Sequence, residues 1–154
     1  MQNEDLIIQF YESFARADAE GMVKCYHRDI EFRDPAFGLL KGNDACNMWR
    51  MLIERSKGNI KINFSDAAAN GKTGSANWIA EYNFGQTGRK VINSVAAAFE
   101  FMDGKIIKHT DHFDLYKWAR QALGWKGYLL GWSSFMQNRI RQNCNALLKK
   151  YSGK

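Results

Sequence analysis

The chain has 154 residues, 45% of them apolar, with 22 Lys and Arg against 16 Asp and Glu, and a net charge of +6. This predicts one soluble globular domain that buries a core without disulfides or structural metal, and it excludes two full domains. Cys25, Cys46 and Cys144 are odd in number without CxxC spacing, no run of 18 apolar residues occurs, and Met1 is followed by Glu4 and Asp5 rather than a basic leader, so a cytoplasmic chain with no membrane partner is expected.

Eight of the 22 basic residues lie between Leu115 and Lys154, a segment with no Asp or Glu; the other 14 face all 16 acids in residues 1–114. These tail cations are scattered, without a zinc-finger or RNP-like motif, so no nucleic-acid partner is expected.

Helical signals come first. Asn3 is placed to cap a helix, Glu4 and Asp5 suit its positive end, and Leu6, Ile7, Phe10 and Phe14 form an apolar stripe at helical spacing. Asp18 is placed to cap a second, short helix that buries Met22, Val23 and Tyr26. Residues 30–34 alternate as a strand, which Pro35 ends by removing a backbone donor. A third helix is predicted from about Asn43, with Ala45, Met48, Trp49, Leu52 and Ile53 facing inward and Gly58 stopping it.

Four strands are predicted next, over residues 60–69, 73–84, 90–102 and 105–116. Asn70-Gly71 and Asp103-Gly104 supply the positive φ angles of tight hairpins, and Gly85 to Gly88 suits a longer turn. Beyond this meander Leu129, Trp132, Met136, Ile140, Cys144, Leu147 and Tyr151 recur every three or four residues, which predicts one amphipathic helix over 127–150. The fold class is therefore α+β: a cone-shaped, curved antiparallel sheet covered on its concave face by N-terminal helices over residues 1–117. A C-terminal helical extension of the same domain follows over 118–154. The alanine triplets Ala67–Ala69 and Ala96–Ala98 leave space over the sheet that either a close helix or a ligand must fill.

The run Tyr26-His27-Arg28-Asp29-Ile30-Glu31-Phe32-Arg33-Asp34-Pro35, with Gly38 and Gly42 before a helix, resembles the first-strand region of the nuclear transport factor 2-like superfamily. That superfamily includes ketosteroid isomerase, limonene epoxide hydrolase and SnoaL-like polyketide cyclases. Gly104-Lys105-Ile106 leading into Asp111-His112-Phe113-Asp114-Leu115 is similar to the last strand of the hydrolase branch. The resemblance, spanning about residues 3–117, implies that Asp34 stands where the isomerases keep a general base and that Asp111 stands where the hydrolases keep a catalytic carboxylate. It also implies departures. The isomerase oxyanion-binding Tyr aligns with Phe10, one residue from Tyr11, and its second donor aligns near Ala97 or Ala98. Without those donors an enolate loses several kcal/mol of stabilisation, so a true ketosteroid isomerase is not expected. The hydrolase Arg-x-Asp is replaced by Trp78-Ile79-Ala80-Glu81.

The period of two puts Ile107, His109, Asp111 and Phe113 on one face of the last strand. If that face looks into the cone, Asp34, His109 and Asp111 converge as a candidate acid/base site, with Asp34 as base and the His–Asp pair as acid partner and orienter. Tyr11, Phe14, Trp49, Tyr82, Asn93 and Phe113 are the expected ligand-binding residues. Trp78, Trp118, Trp125 and Trp132 are either pocket lining or core. His109 and His112 point to opposite faces and no nucleophile triad or Gly-rich phosphate loop occurs, so neither metal nor cofactor is expected. The expected function is a SnoaL-like isomerase, cyclase or hydrolase acting on a small apolar molecule; the alternative is a non-catalytic ligand-binding or assembly domain. A homodimer through the free sheet face, including Tyr116, is expected, with the last helix lidding the pocket, covering a sheet edge or embracing the partner.

Overall fold

Helix α1 (Asn3–Ala15) buries Leu6, Ile7, Phe10 and Phe14, the stripe its spacing predicts, together with Tyr11, and carries Glu4 and Asp5 in its first turn. Its N-cap residue is Gln2; the Asn3 side chain instead donates to the Asn70 carbonyl at 2.9 Å. The computed structural model describes residues 2–153. Asp18 caps α2 (Ala19–Val23) as expected, accepting from the Gly21 N–H at 2.9 Å.

Strand β1 (Tyr26–Asp34) starts earlier than predicted and ends at Pro35, and an unanticipated short strand, β2 (Gly38–Lys41), pairs back on it. Helix α3 (Asn43–Ser56) stops where Lys57 and Gly58 both take positive φ. Strands β3 (Lys61–Ala69), β4 (Thr73–Asn83), β5 (Lys90–Met102) and β6 (Lys105–His112) form the predicted meander. The curved, unclosed sheet has the order β2-β1-β6-β5-β4-β3 and is antiparallel except where β1 runs parallel to β6. Asp103 and Gly104 adopt the two positive φ angles of a tight hairpin. The turn at Asn70 works differently: its Oδ1 accepts the Lys72 and Thr73 N–H groups, both at 2.8 Å.

Two irregularities bend the meander. One falls between Ser65 and Ala68, with Asp66 at φ 58°, and one between Glu100 and Phe101 opposite β6. The second shifts the period of β6, so Ile106, not Ile107, is buried with His109 and Asp111. The alanine triplets do not form one cavity floor: Ala97 is core with Ala67 and Ala69 packed against that core, Ala68, Ala96 and Ala98 are exposed, and the close approach of α1 is at Gly74, where a Cβ would stand 2.8 Å from Ile7 Cδ1.

The C-terminal third departs most from expectation. The last strand stops at His112, and Asp114 caps α4 (Leu115–Leu123) by accepting from the Lys117 N–H at 3.1 Å. Leu115, Trp118, Ala119 and Ala122 make its buried face, and Tyr116 lies on this helix rather than on the sheet. The single helix predicted over 127–150 is two, α5 (Trp125–Leu130) and α6 (Ser134–Ser152), because the Ser133 hydroxyl accepts from the Met136 N–H and starts a new helix. Leu129 and Trp132, expected on the buried stripe, are 61% and 68% exposed, whereas Ile140 and Leu148 are buried. Helix α6 is fastened to the β1–β2 turn: Arg141 Nε donates to Pro35 O at 3.3 Å and Asn145 Nδ2 to Phe37 O at 2.9 Å.

Candidate active site

A largely apolar cavity of about 1170 Å³ opens between α3, α6 and the sheet. Met48, Met51 and Leu52 come from α3, Trp78, Ala80 and Tyr82 from β4, and Met136, Ile140, Cys144 and Leu147 from α6. Helix α6 thus supplies part of the cavity wall.

Asp34 and Asp111 both lie on that wall. Asp34 ends β1, and its Oδ1 accepts the Ala36 N–H at 2.9 Å and the Phe37 N–H at 2.6 Å, so the carboxyl also forms the turn that Pro35 begins. Asp34 keeps some accessible surface, but the protein packed around it raises its pKa to about 7. Burial is the main cause, and the negative charge of Asp111 acts in the same direction; the Phe37 N–H opposes them.

Asp111 is held from behind. Its Oδ1 lies 2.8 Å from His109 Nε2 and 3.3 Å from Trp78 Nε1. His109 Nδ1 lies 2.7 Å from the Tyr26 hydroxyl, which accepts from Trp49 Nε1–H at 2.8 Å. Indole N–H can only donate, so the Tyr26 oxygen accepts from Trp49; at the other end the Asp111 carboxylate can only accept, which places a proton on His109 Nε2 and leaves Nδ1 of the neutral ring to accept the Tyr26 proton. The ring proton of His109 then resides on Nε2 and is donated to Asp111 Oδ1. All donors of the chain Trp49–Tyr26–His109–Asp111 are satisfied this way, which matters where water cannot replace a lost partner.

Of the nine residues expected in the site, Asp34, Asp111, Phe14, Trp49, Tyr82, Asn93 and Phe113 line the cavity, and His109 and Tyr11 do not. His109 is fully buried between Asp111 and Tyr26, so it is removed from the role of an acid partner touching ligand. Tyr11 is fully buried in the core, stacked on Phe64 with centroids 5.5 Å apart, and its hydroxyl has no hydrogen-bond partner among the described residues. Burial pushes that phenol well above its usual pKa. Tyr82 accepts from Trp118 Nε1 at 2.8 Å, and burial raises its pKa too, so it keeps its proton at neutral pH. Trp78 and Trp118 line the cavity; Trp125 and Trp132 are exposed and do not. The sequence reading missed Tyr26 as the link in the buried chain. It also missed Cys144, whose thiol burial pushes up to about 12, and a rim of Arg55, Lys57, Lys126 and Arg139.

The sequence profile of the SnoaL-like domain matches residues 7–109. No curated protein matches the chain in sequence. Among solved structures, a candidate polyketide cyclase from Xanthomonas campestris pv. campestris is similar at TM-score 0.62 and 21% identity, over 76% of this chain and 93% of that one. TerC, crystallised with polyporic acid, is similar at TM-score 0.62 and 19% identity, over 73% and 91%. An epoxide hydrolase of the limonene epoxide hydrolase type from Mycobacterium tuberculosis is similar at TM-score 0.60 and 19% identity, over 81% and 90%.

Proposed function

The chain belongs to the SnoaL-like domain family, and from that premise we propose that it is an acid/base enzyme: an isomerase, cyclase or hydrolase that moves a proton on a small apolar molecule such as a terpenoid, steroid or polyketide. The observation that carries this reading is the pair Asp34 and Asp111 on the wall of one apolar cavity, with Asp34 titrating at about 7. A carboxyl with a pKa near the working pH both takes and returns a proton at little cost. Asp34 would take a proton from the substrate, or give one to an oxygen that leaves. Asp111, with Oδ1 occupied by His109 and Trp78, would present its other oxygen to the ligand as second carboxylate. His109 acts through Asp111 as a positioning residue. The Tyr82 hydroxyl, protonated and already accepting from Trp118, is free to donate to an oxygen on which charge develops.

A second reading, ligand binding without turnover, is favoured by one observation: Phe10, at the aligned position of the isomerase oxyanion Tyr, is sealed in the core, and the residue paired with Asp111 across the sheet is Ala97. The proposal further includes a homodimer through the outer sheet face and a cytoplasmic location.

The readings are separated by incubating the protein with a panel of apolar ketones in deuterium oxide and apolar epoxides in oxygen-18 water. An enzyme of the proposed type introduces deuterium next to the carbonyl or oxygen-18 into the diol, and Asp34→Asn does not. Binding of panel members with no isotope uptake and no rearranged product supports the second reading.

A further inference from the structure

The outward face of α5 has no partner among the described residues, and the inward face explains why. A Cβ on Gly127 would stand 2.0 Å from the Ala119 carbonyl oxygen, and one on Gly131 would stand 2.9 Å from the Ala119 Cβ. Helix α5 thus packs on α4 by bare backbone, and its large side chains are all turned to solvent. Trp125, Tyr128, Leu129 and Trp132, at i, i+3, i+4 and i+7, are 69%, 59%, 61% and 68% exposed, and Phe135 at the start of α6 is 71% exposed. Scattered exposed apolar residues are ordinary; with Leu130 at 46%, six large ones gathered within eleven positions are not.

Cations are interleaved with these rings. Lys126 Nζ lies 6.0 Å from the Trp125 ring, the Arg120 guanidinium lies 4.7 Å from the Tyr116 ring and 5.6 Å from that of Tyr128, and Arg139 follows Phe135 one helical turn on. No Asp or Glu occurs between Leu115 and the end of the chain. Aromatic and aliphatic side chains standing among Lys and Arg match the chemistry of an anionic bilayer surface, where rings settle at headgroup level and cations meet lipid phosphates and carboxylates. The same patch of a second copy is a poor partner, because Arg120, Lys126 and Arg139 of both copies would be brought together with no Asp or Glu of this segment to pair them. We propose that the outer face of α5 and the start of α6 dock the protein peripherally on an anionic membrane surface. The sequence-based expectation of no membrane partner is thereby narrowed to spanning segments: among the described residues no helix is long and apolar enough to cross.

The patch adjoins the cavity. Lys126, Phe135 and Arg139 belong to both, so a docked molecule turns its cavity mouth toward the lipid. Exchange of an apolar substrate between bilayer and cavity follows if the function proposed above holds; docking itself does not depend on it.

The test is cosedimentation of the full chain with vesicles of phosphatidylcholine alone or mixed with phosphatidylserine, with no substrate present. Binding is expected to the mixed vesicles only, to weaken with salt, and to shift tryptophan emission to the blue, since Trp125 and Trp132 are exposed while Trp49, Trp78 and Trp118 are buried. The double variant Trp125→Ser/Trp132→Ser, both positions off the cavity wall, is expected to lower partitioning at least about tenfold with circular dichroism and melting unchanged. Should that variant fold poorly, Leu129→Ser alone is read the same way. Absence of binding to the mixed vesicles, equal binding to neutral ones, or undiminished binding by the variants overturns the proposal. So does self-association that the same variants abolish, which would give the patch to a second copy.

Discussion

His109 Nε2 stands 2.8 Å from Asp111 Oδ1, and a hydrogen-bonded chain through the buried Tyr26 and His109 links that cavity-wall carboxyl to the Trp49 indole. The orientations in that chain are set from its two ends, by an indole that can only donate and a carboxylate that can only accept. Tyr26→Phe removes both the acceptor for that hydrogen and the donor to His109 Nδ1. The expected result is a loss of ~1–3 kcal/mol of stability, because buried groups are left unpaired. Long-range nitrogen–proton NMR should report the Nε2–H tautomer of His109 in the wild type, with an Nδ1 resonance that shifts in the variant because the Tyr26 hydrogen bond to it is gone. An Nδ1–H tautomer in the wild type would refute the assigned direction.

Asp34 gives a stability prediction with a definite sign. In the unfolded chain an Asp releases its proton near ~3.9, whereas in the folded protein Asp34 does so at about 7. Between those values the native state holds a proton that the unfolded state lacks, so this residue's contribution to stability declines as pH rises through the window and levels off above 7. Asn does not titrate, and its side-chain oxygen can keep both turn bonds to Ala36 and Phe37. Asp34→Asn is therefore expected to gain stability relative to the wild type between pH ~4 and ~8, by ~1–3 kcal/mol once the residual exposure of the site is discounted. Chemical denaturation at both ends of the window measures it; a gap that is constant or reversed means the carboxyl is not raised. The same variant should retain ligand affinity while losing isotope exchange.

The residues that read correctly from sequence are those whose partners lie within one period of their own element. The α1 stripe and the alternating positions of β4 and β5 follow from periods of 3.6 and 2, and Asp34 and Asp111 were legible as inward-facing strand positions. Period alone did not tell depth. His109 and Asp111 share a face, yet one reaches the cavity and the other is sealed behind it by Tyr26, a contact 83 residues away in sequence. Helix α4 hid because an apolar-polar start at Leu115-Tyr116 also continues a strand; Asp114 as a cap was the overlooked signal. The exposed face of α5 was read as buried because the choice is made by the approach of Gly127 to the Ala119 backbone, which no local pattern contains.

That approach carries its own prediction. A methyl at Gly127 would meet Ala119 O at 2.0 Å and Ala119 C at 2.4 Å, atoms of a helix backbone that cannot rotate away. Gly127→Ala is expected to destabilise by ~1–3 kcal/mol or more and to open α5 to proteolysis, despite the better helix propensity of Ala. Gly85→Ala serves as control, since nothing lies within 4 Å of its position. Equal melting temperatures for the two variants would mean that α5 does not pack as described.

The homodimer is tested on the sheet. On the outer face of β4 and β5, Ile79 and Ile92 are 42% and 45% exposed, and the register pairs Ile79 with Ser94 and Glu81 with Ile92, which makes the two isoleucines diagonal neighbours. Around them Asn77 and Ala96 are small enough for a second sheet to approach. In an isologous interface each residue counts twice, so Ile79→Lys would place two buried, unpaired ammonium groups in it. Sedimentation equilibrium at micromolar concentration is expected to give a dimer for the wild type and a monomer for Ile79→Lys. Trp125→Ser/Trp132→Ser, altered on the α5 face instead, should remain dimeric. A monomeric wild type removes the dimer, and a dimer that survives Ile79→Lys but not the tryptophan changes moves the interface from the sheet to α5.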